Sequence, residues 1–431
     1  MSEEKFDAII VGGGLAGSAA AYTLAKAGLE VAVIERGTSC GSKNVTGGRI
    51  YAHSLAKLIP DYAETAPLER KIVKERIVLM GGTGSTTIEY GDEGLKEPAY
   101  ASYSVLRAKL DAWLAEKAEE AGALYITGIR VDELLQENGK VTGVVADGDS
   151  LNADVVLLAD GVHSLLAQQI GLKKDLTPHQ VGVGVKEVIG LDEKTISDRF
   201  GVLPGEGVAC LIAGHATGGA VGGGILYTNK NSISLGTVVS IGHIGDGEGL
   251  KVPDMVERLK ESPLIAPLIA GGELLEYSAH LVPEGGISMT PQLVGDGVLI
   301  AGDAAGFVMN LGFTFRGMDL AIESGRLAGE AIIKAKEKSD FSSSGLSEYR
   351  SLLDNSFIMR DLKHFRKMPD FMESSQIYKE IPEIAGEVFG SLFKIDGSAP
   401  KKMLKNVNSI LKRNIKLTTL IKLATKAMGA M

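Results

Sequence analysis

At 431 residues the chain is too long for one simple core, and two connected domains are expected. Its 45% apolar and 23% charged residues read as a globular protein, and a net charge of -9 argues against general nucleic-acid binding. Two cysteines, Cys40 and Cys210, cannot by themselves hold an iron–sulfur cluster or a structural zinc ion; they suggest a reducing, cytoplasmic setting. The acidic MSEEK opening carries no secretory pattern, and no apolar run reaches the roughly 18 residues of a spanning helix.

FDAIIV, residues 6–11, reads as a buried parallel strand. GGGLAG follows at 12–17, then a helix from about Ser18 to Ala27 stopped by Gly28. EVAVIE, residues 30–35, is a second buried strand, and the three pieces make a βαβ unit. Gly12-x-Gly14-x-x-Gly17 has dinucleotide-binding spacing. Gly12 permits the tight turn, Gly14 lets backbone approach a pyrophosphate, and Gly17 allows close helix–strand packing. Leu15 and Ala16 complete the candidate loop, where the helix N-terminus faces the anion. Glu35 ends the second strand, 18 residues beyond Gly17. It can accept both hydroxyls of an adenosine ribose and would repel a 2′-phosphate.

GTSCGSKNVTGGRI, residues 37–50, reads as a functional loop. Residues 104–121 predict an amphipathic helix ending at Gly122, and short strands then close on ADVVLLADG at 153–161. From about 178 to 290, β-type segments alternate with glycine-rich turns, as in a mostly antiparallel sheet. GVLIAGDAAG, residues 297–306, is again a buried strand entering a glycine turn, followed by a helix to about Lys336; the remainder reads as helical. The expected fold is α/β. A Rossmann-like FAD-binding domain is built from discontinuous segments, with an inserted, mostly antiparallel β-sheet domain and a helical C-terminal region. The expected boundaries are 1–177, with strands from about 72–103 lent to the second domain, then 178–290, 291–340 and 341–431.

FAD rather than a nicotinamide cofactor follows from three later segments. Asp160-Gly161 and Gly302-Asp303 each end a buried strand, where Asp can hold a ribityl hydroxyl and Gly keeps the backbone close. NLGFTFRGMDLAIESG, residues 310–325, then starts a helix whose N-terminus can set positive dipole against the flavin N1/C2-carbonyl edge. Gly312 and Phe313 of this segment are cofactor candidates with it.

The ordered set is similar to flavoproteins of the aromatic-hydroxylase and geranylgeranyl-reductase superfamily. It resembles most the FixC type, related to electron-transferring-flavoprotein:quinone oxidoreductase. The residues carrying this are IERG at 34–37, KNVTGGRIYAHSL at 43–55, SVLRAKLDAWL at 104–114, EYSAHLVPEGG at 276–286, GDGVLIAGDAAGFVMNLGFTFRGMDLAIESG at 295–325 and FKIDGSAP at 393–400. The resemblance implies noncovalent FAD in an oxidoreductase that moves electrons. Its implied partners are electron-transfer flavoprotein subunits, a ferredoxin-like iron–sulfur protein and quinone. The larger quinone oxidoreductases carry a [4Fe–4S] domain in the same chain, and this sequence lacks the cysteines for one. The resemblance places Glu35 and Arg36 near the adenosine, the backbone of Val131 at the adenine, and Arg107 along the pyrophosphate–ribityl chain. It places Asn44 to Arg49, including Gly47 and Gly48, close to the isoalloxazine. No acid–base pair is needed for electron transfer, so no catalytic residue and no metal ligand is assigned. The competing expectation is an FAD-dependent reductase or monooxygenase acting on an isoprenoid or aromatic substrate.

Other features divide between chemistry and packing. Arg316 is open between a cofactor or partner contact and a surface charge. His53, His215, His243 and His280 have no metal-ligand spacing among themselves. PLIAPLIAGG, residues 263–272, is by resemblance a quinone or membrane contact, or else a buried turn-helix. Residues 401–431 carry eight Lys/Arg and no acid, leaving the rest of the chain at -17. Their apolar residues recur near helical spacing, as in a helix that lies peripherally on the inner face of the cell membrane, docks to a partner, or packs on its own domain with a solvated basic face.

Overall fold

The structure, a computed structural model, describes residues 5–44, 47–82, 84–397 and 402–431. In chain order the strands are β1 (Lys5–Val11), β2 (Val31–Glu35), β3 (Gly48–Tyr51), β4 (Leu68–Met80), β5 (Ser85–Gly91), β6 (Ser102–Val105), β7 (Leu124–Thr127), β8 (Val131–Glu137), β9 (Lys140–Ala146), β10 (Asp149–Leu158), β11 (Val181–Gly190), β12 (Glu206–Gly214), β13 (Gly222–Thr228), β14 (Ser232–Ser240), β15 (Glu273–Pro283), β16 (Val294–Gly295) and β17 (Val298–Ile300).

Five strands form a parallel core in the order β7-β2-β1-β10-β17, with β16 on one edge and the hairpin β8–β9 attached to β10. The runs AIIV, VAVI and VVLL are buried on both faces, as parallel strands require. Strand order reverses between β2 and β10 around β1, and this switch point opens a crevice at the carboxyl ends of the strands. Helix Leu15–Lys26 covers one face and packs on helix Met318–Glu337. Glycines allow that contact: a Cβ on Gly325 would lie 2.0 Å from the Ala16 carbonyl oxygen, and one on Gly329 would lie 2.8 Å from Thr23.

The second sheet runs β15-β11-β14-β13-β12-β4-β6-β3, with β5 on β4; its pairs are antiparallel except β12 with β4. Arg70, fully buried on β4, ties it together. Its guanidinium donates to the carbonyls of Asn229 (2.7 Å), Glu206 (3.0 Å) and Glu193 (3.0 Å) and to Ser197 Oγ (3.0 Å).

Several expected elements shift. The first helix begins at Leu15, because Gly14 is extended and already caps it. The helix expected over 104–121 covers Arg107–Glu120 only; Ser102–Val105 is strand β6, and Ser104 Oγ donates to the Thr228 carbonyl at 2.7 Å. The helix expected from about 310 begins at Met318. A small hairpin, Met309–Asn310 against Phe315–Arg316, comes first and turns at Gly312 with φ +76°. The basic tail is two helices, Met403–Asn414 and Leu417–Ala430, broken where Ile415 turns extended and buries its side chain. PLIAPLIAGG folds as a turn and a short helix, Ala266–Ile269, with Ile265 fully buried in the second sheet's core. That packing answers its apolar character. Among the described residues no helix is long and apolar enough to cross a membrane.

Candidate functional site

The glycine turn after β1 lies directly against the end of β10. Gly12 has φ +102°, and a Cβ there would sit 2.5 Å from the Ala159 carbonyl oxygen. A Cβ on Gly17 would sit 1.9 Å from the Gly12 carbonyl oxygen. Both glycines are thus demanded by the protein's own packing. Gly14 is different: its φ of -77° suits any residue, and a Cβ there would meet no protein atom within 4 Å. Packing does not require this glycine, and a ligand laid over the turn would. Glu35 closes the other side, accepting from Gly13 N at 2.9 Å and Gly37 N at 2.6 Å. Cys40 packs beneath the turn; burial first, then the Glu35 charge, pushes its thiol up to about 12, so it is inert as a nucleophile.

The two later turns converge on this point. A Cβ on Gly302, φ +66°, would lie 2.8 Å from the Ala16 Cβ, which puts the Gly302-Asp303 turn against the helix start. Lys173 bridges both turns: its Nζ donates to the carbonyls of Val162 at 2.7 Å and Ala304 at 3.0 Å. Burial lowers the Lys173 pKa, and Asp160 and Asp303 oppose that. Burial raises Asp160 to about 6, while Asp160 Oδ1 is buried and unpartnered among the described residues. Burial likewise raises Asp303, opposed by Arg107 and Lys173. A hydroxyl-bearing ligand would satisfy Asp160 Oδ1 directly.

Arg107 opens its helix and donates through Nε and Nη2 to Asp111 at 2.7 and 2.8 Å; Asp111 is fully buried and also accepts from Asn44 at 2.5 Å. Burial opposes the Arg107 charge, but Asp111 outweighs it and holds its pKa above the ordinary arginine value. Across the crevice, Lys186 on β11 donates to the Gly47 carbonyl at 2.9 Å, and burial, then Arg107, pushes it down to about 8. His280 on β15 is lowered by burial and then by Arg36, Arg107, His163 and Lys186. The crevice is therefore a field of cations ringing two buried carboxyls, suited to a pyrophosphate joined to a polyhydroxyl chain. FAD fits this donor set.

The hairpin after Gly302-Asp303 borders a second space. On one side Tyr51 Oη lies 2.6 Å from Thr314 Oγ1. On the other, Asn310, Leu311, Gly312 and Phe313 line a cavity of about 560 Å³. Ile77, Leu79, Leu211 and Ile225 of the second sheet form its far wall, with Phe371, Met372, Ile381 and Leu423 from C-terminal helices. Glu284 is one of its polar groups; burial, then Glu373, raises it to about 7. Arg316 is held inside the protein by Asp319 Oδ2 at 2.6 Å and Asp361 Oδ2 at 2.8 Å.

Gly12, Gly14, Leu15, Ala16, Gly17, Glu35, Asp160, Gly161, Gly302, Asp303, Asn44, Gly47 and Arg107 thus gather round one crevice. Gly48 begins β3, where a Cβ would reach Met318 at 2.7 Å. Val131 starts β8 just past Ile129, whose N donates to the Glu35 carbonyl; Arg36 is exposed beside them. Gly312 and Phe313 stand apart, on the cavity side of the hairpin. Val45 and Thr46 of the expected isoalloxazine loop lie outside the described residues. Lys173 and Lys186 were not among the sequence candidates. A lysine inside the apolar run VGVGVKEVI was the available signal for Lys186.

Crevice, cation ring and switch point define an FAD-dependent oxidoreductase of the Rossmann type. The FAD binding domain family matches residues 5–190, and the ETF-QO/FixC family C-terminal domain matches 368–431. Protein FixC of Escherichia coli O157:H7 is 54% identical over 407 residues, covering 94% of this chain and 95% of that one. A probable electron transfer flavoprotein-quinone oxidoreductase, YdiS of Escherichia coli K12, is 50% identical over the whole of both chains. The chain belongs to the FixC/ETF-QO family of FAD-dependent electron-transfer oxidoreductases. Among solved structures, a geranylgeranyl bacteriochlorophyll reductase-like protein of Thermoplasma acidophilum shares the fold, at TM-score 0.71 and 21% identity, covering 98% of this chain and 100% of that one.

Proposed function

We propose that this protein receives electrons from an electron-transfer flavoprotein and delivers them to a quinone held in the 560 Å³ cavity. A ferredoxin-like iron–sulfur partner would be an added relay. The observation that carries this is the shared wall: Asn310–Phe313 belongs both to the chain leaving Gly302-Asp303 and to the cavity lining. A cavity of this size, walled largely by apolar side chains with polar groups at its edge, suits a quinone ring. In this reading Gly14 and its neighbours hold the pyrophosphate, Glu35 the adenosine ribose, Asp160 and Asp303 the ribityl chain with Arg107 beside it, and Lys186 the electron-rich end. Bound FAD supplies the electron-accepting and electron-donating chemistry. The protein orients it, tunes its charge and excludes water.

With reduced electron-transfer flavoprotein and a short-chain quinone, the FAD-loaded protein should catalyse anaerobic quinone reduction. Leu211→Trp, which fills the cavity from β12, should cut that rate at least about tenfold while FAD content stays constant. Rapid NAD(P)H oxidation with oxygen uptake by the protein alone would instead favour the reductase or monooxygenase reading, since the same cavity could admit an isoprenoid or aromatic substrate.

We also propose that the C-terminal helices meet an anionic membrane. Phe389, Phe393, Ile395, Met403 and Leu404 are exposed together with Lys394, Lys402 and Lys405. A basic residue near such a surface contributes roughly 1 kcal/mol. Lys402→Glu with Lys405→Glu should therefore lower co-sedimentation with anionic vesicles by about tenfold or more, at unchanged FAD content. Charge reversal is the cleaner test than truncation, because Ile410, Ile415, Leu423 and Ala430 of the tail are buried. Equal binding to neutral and anionic vesicles would refute the contact.

A further inference from the structure

At the rim of the cavity, away from the cofactor crevice, three side chains converge from distant parts of the chain. His179 lies in the tight turn Pro178–Gln180, fixed by a reciprocal Thr177–Gln180 cap. His243 ends the turn Ile241–His243 after β14, and Glu373 follows the helix Met368–Met372. One ligand atom from each lies within 4.8 Å of the others. His179 Nδ1 is 3.2 Å from Glu373 Oε1, and the two imidazoles meet edge to face at 5.1 Å between centroids. Gly242 makes room for this: a Cβ there would stand 2.5 Å from His179 Nδ1.

The second observation concerns His243. Its Nδ1 lies 2.8 Å from Asp246 Oδ2, the carboxylate–imidazole pairing that typically backs a metal-bound histidine. In the neutral imidazole, donation from Nδ1 to that carboxylate leaves a lone pair on Nε2. Nε2 is buried and has no hydrogen-bond partner among the described residues. A cation supplies what such a nitrogen lacks.

We infer that His179, His243 and Glu373 form a site for a divalent cation of the zinc type, with water in the fourth position. Two imidazoles and a carboxylate match the ligand preference of Zn(II). Tetrahedral ligands at ~2.1 Å stand about 3.4 Å apart, a closure that rotation of the exposed His179 and Glu373 side chains can supply. His179 and Glu373 both line the cavity, so the ion would pin the helix bearing Phe371 and Met372 against the sheet at the cavity's mouth. The inference stands on these ligands and not on the identity of the cavity's occupant.

The test uses untagged, FAD-loaded protein freed of metal with a chelator, then titrated with ZnCl2 or CoCl2. One zinc per chain should survive gel filtration, and Co(II) should give four-coordinate d–d bands to the red of the flavin absorption. His179→Ala and Glu373→Gln, both at exposed positions, should abolish stoichiometric retention at unchanged FAD content. Asp246→Asn should weaken binding by about tenfold or more. His215→Ala should leave binding intact, since His215 is engaged elsewhere with Glu248 and Arg258. No retained zinc, or equal zinc in His179→Ala and the parent, would overturn the site.

Discussion

Replacing Arg107 by Leu is expected to destabilise the protein by about 3–5 kcal/mol and to release its FAD on desalting. The stability loss comes from Asp111, which is fully buried and would keep only Asn44 as partner. The cofactor loss comes from removing a guanidinium that faces Asp303 and Lys186 at the centre of the cation ring. The two effects separate in the double variant Arg107→Leu/Asp111→Leu. With no stranded carboxylate, most of the stability should return, because burying an ion pair brings little net gain over apolar packing. FAD affinity should not return. Urea unfolding of the apoproteins and flavin fluorescence titration read the two quantities apart. If the double variant regains FAD affinity as well, Arg107 serves Asp111 alone and has no cofactor role.

The glycine turn gives the second large effect, as a contrast between two neighbouring residues. Gly14→Ala should leave apoprotein stability within ~0.5 kcal/mol, since the backbone is already ordinary and the new methyl meets no protein atom. It should weaken FAD about tenfold or more by intruding where the backbone would approach the pyrophosphate. Gly17→Ala should destabilise the apoprotein by ~2 kcal/mol or more, because its methyl would lie 1.9 Å from a backbone oxygen and helix and strand must part. Equal stability losses in the two variants would show that Gly14 answers to packing, and the pyrophosphate reading of the turn would fail. Thermal unfolding without and with FAD measures both.

The βαβ unit was legible because its signals are local. Buried parallel strands are continuously apolar, and a phosphate turn needs glycines at set spacing. Where a nonlocal partner decided the conformation, local patterns misled. Ser104 and Val105 read as helix by their neighbours but end strand β6, because β3 and β4 stand on either side of it. The segment 309–316 was read into the following helix, yet it forms a hairpin that gives one face to Tyr51 and the other to the cavity. Arg316 reads equally as a ligand contact or a surface charge, and two aspartates, one of them 45 residues away, hold it. The tail's helical spacing was right, but its break at Ile415 follows from burial against the rest of the protein.

By itself the sequence determined the α/β class, the FAD-type turn with Glu35, and the two Asp–Gly turns, because each is written in contiguous residues whose chemistry needs no partner. Only the tertiary structure decided which charges surround those turns, that a largely apolar cavity is walled by the segment following Gly302-Asp303, and that His179, His243 and Glu373 meet at its rim. The last of these depends on contacts 64 and 194 positions apart along the chain, of His179 with His243 and with Glu373. Sheet pairing and helix packing create such contacts, and no periodicity in the chain records them.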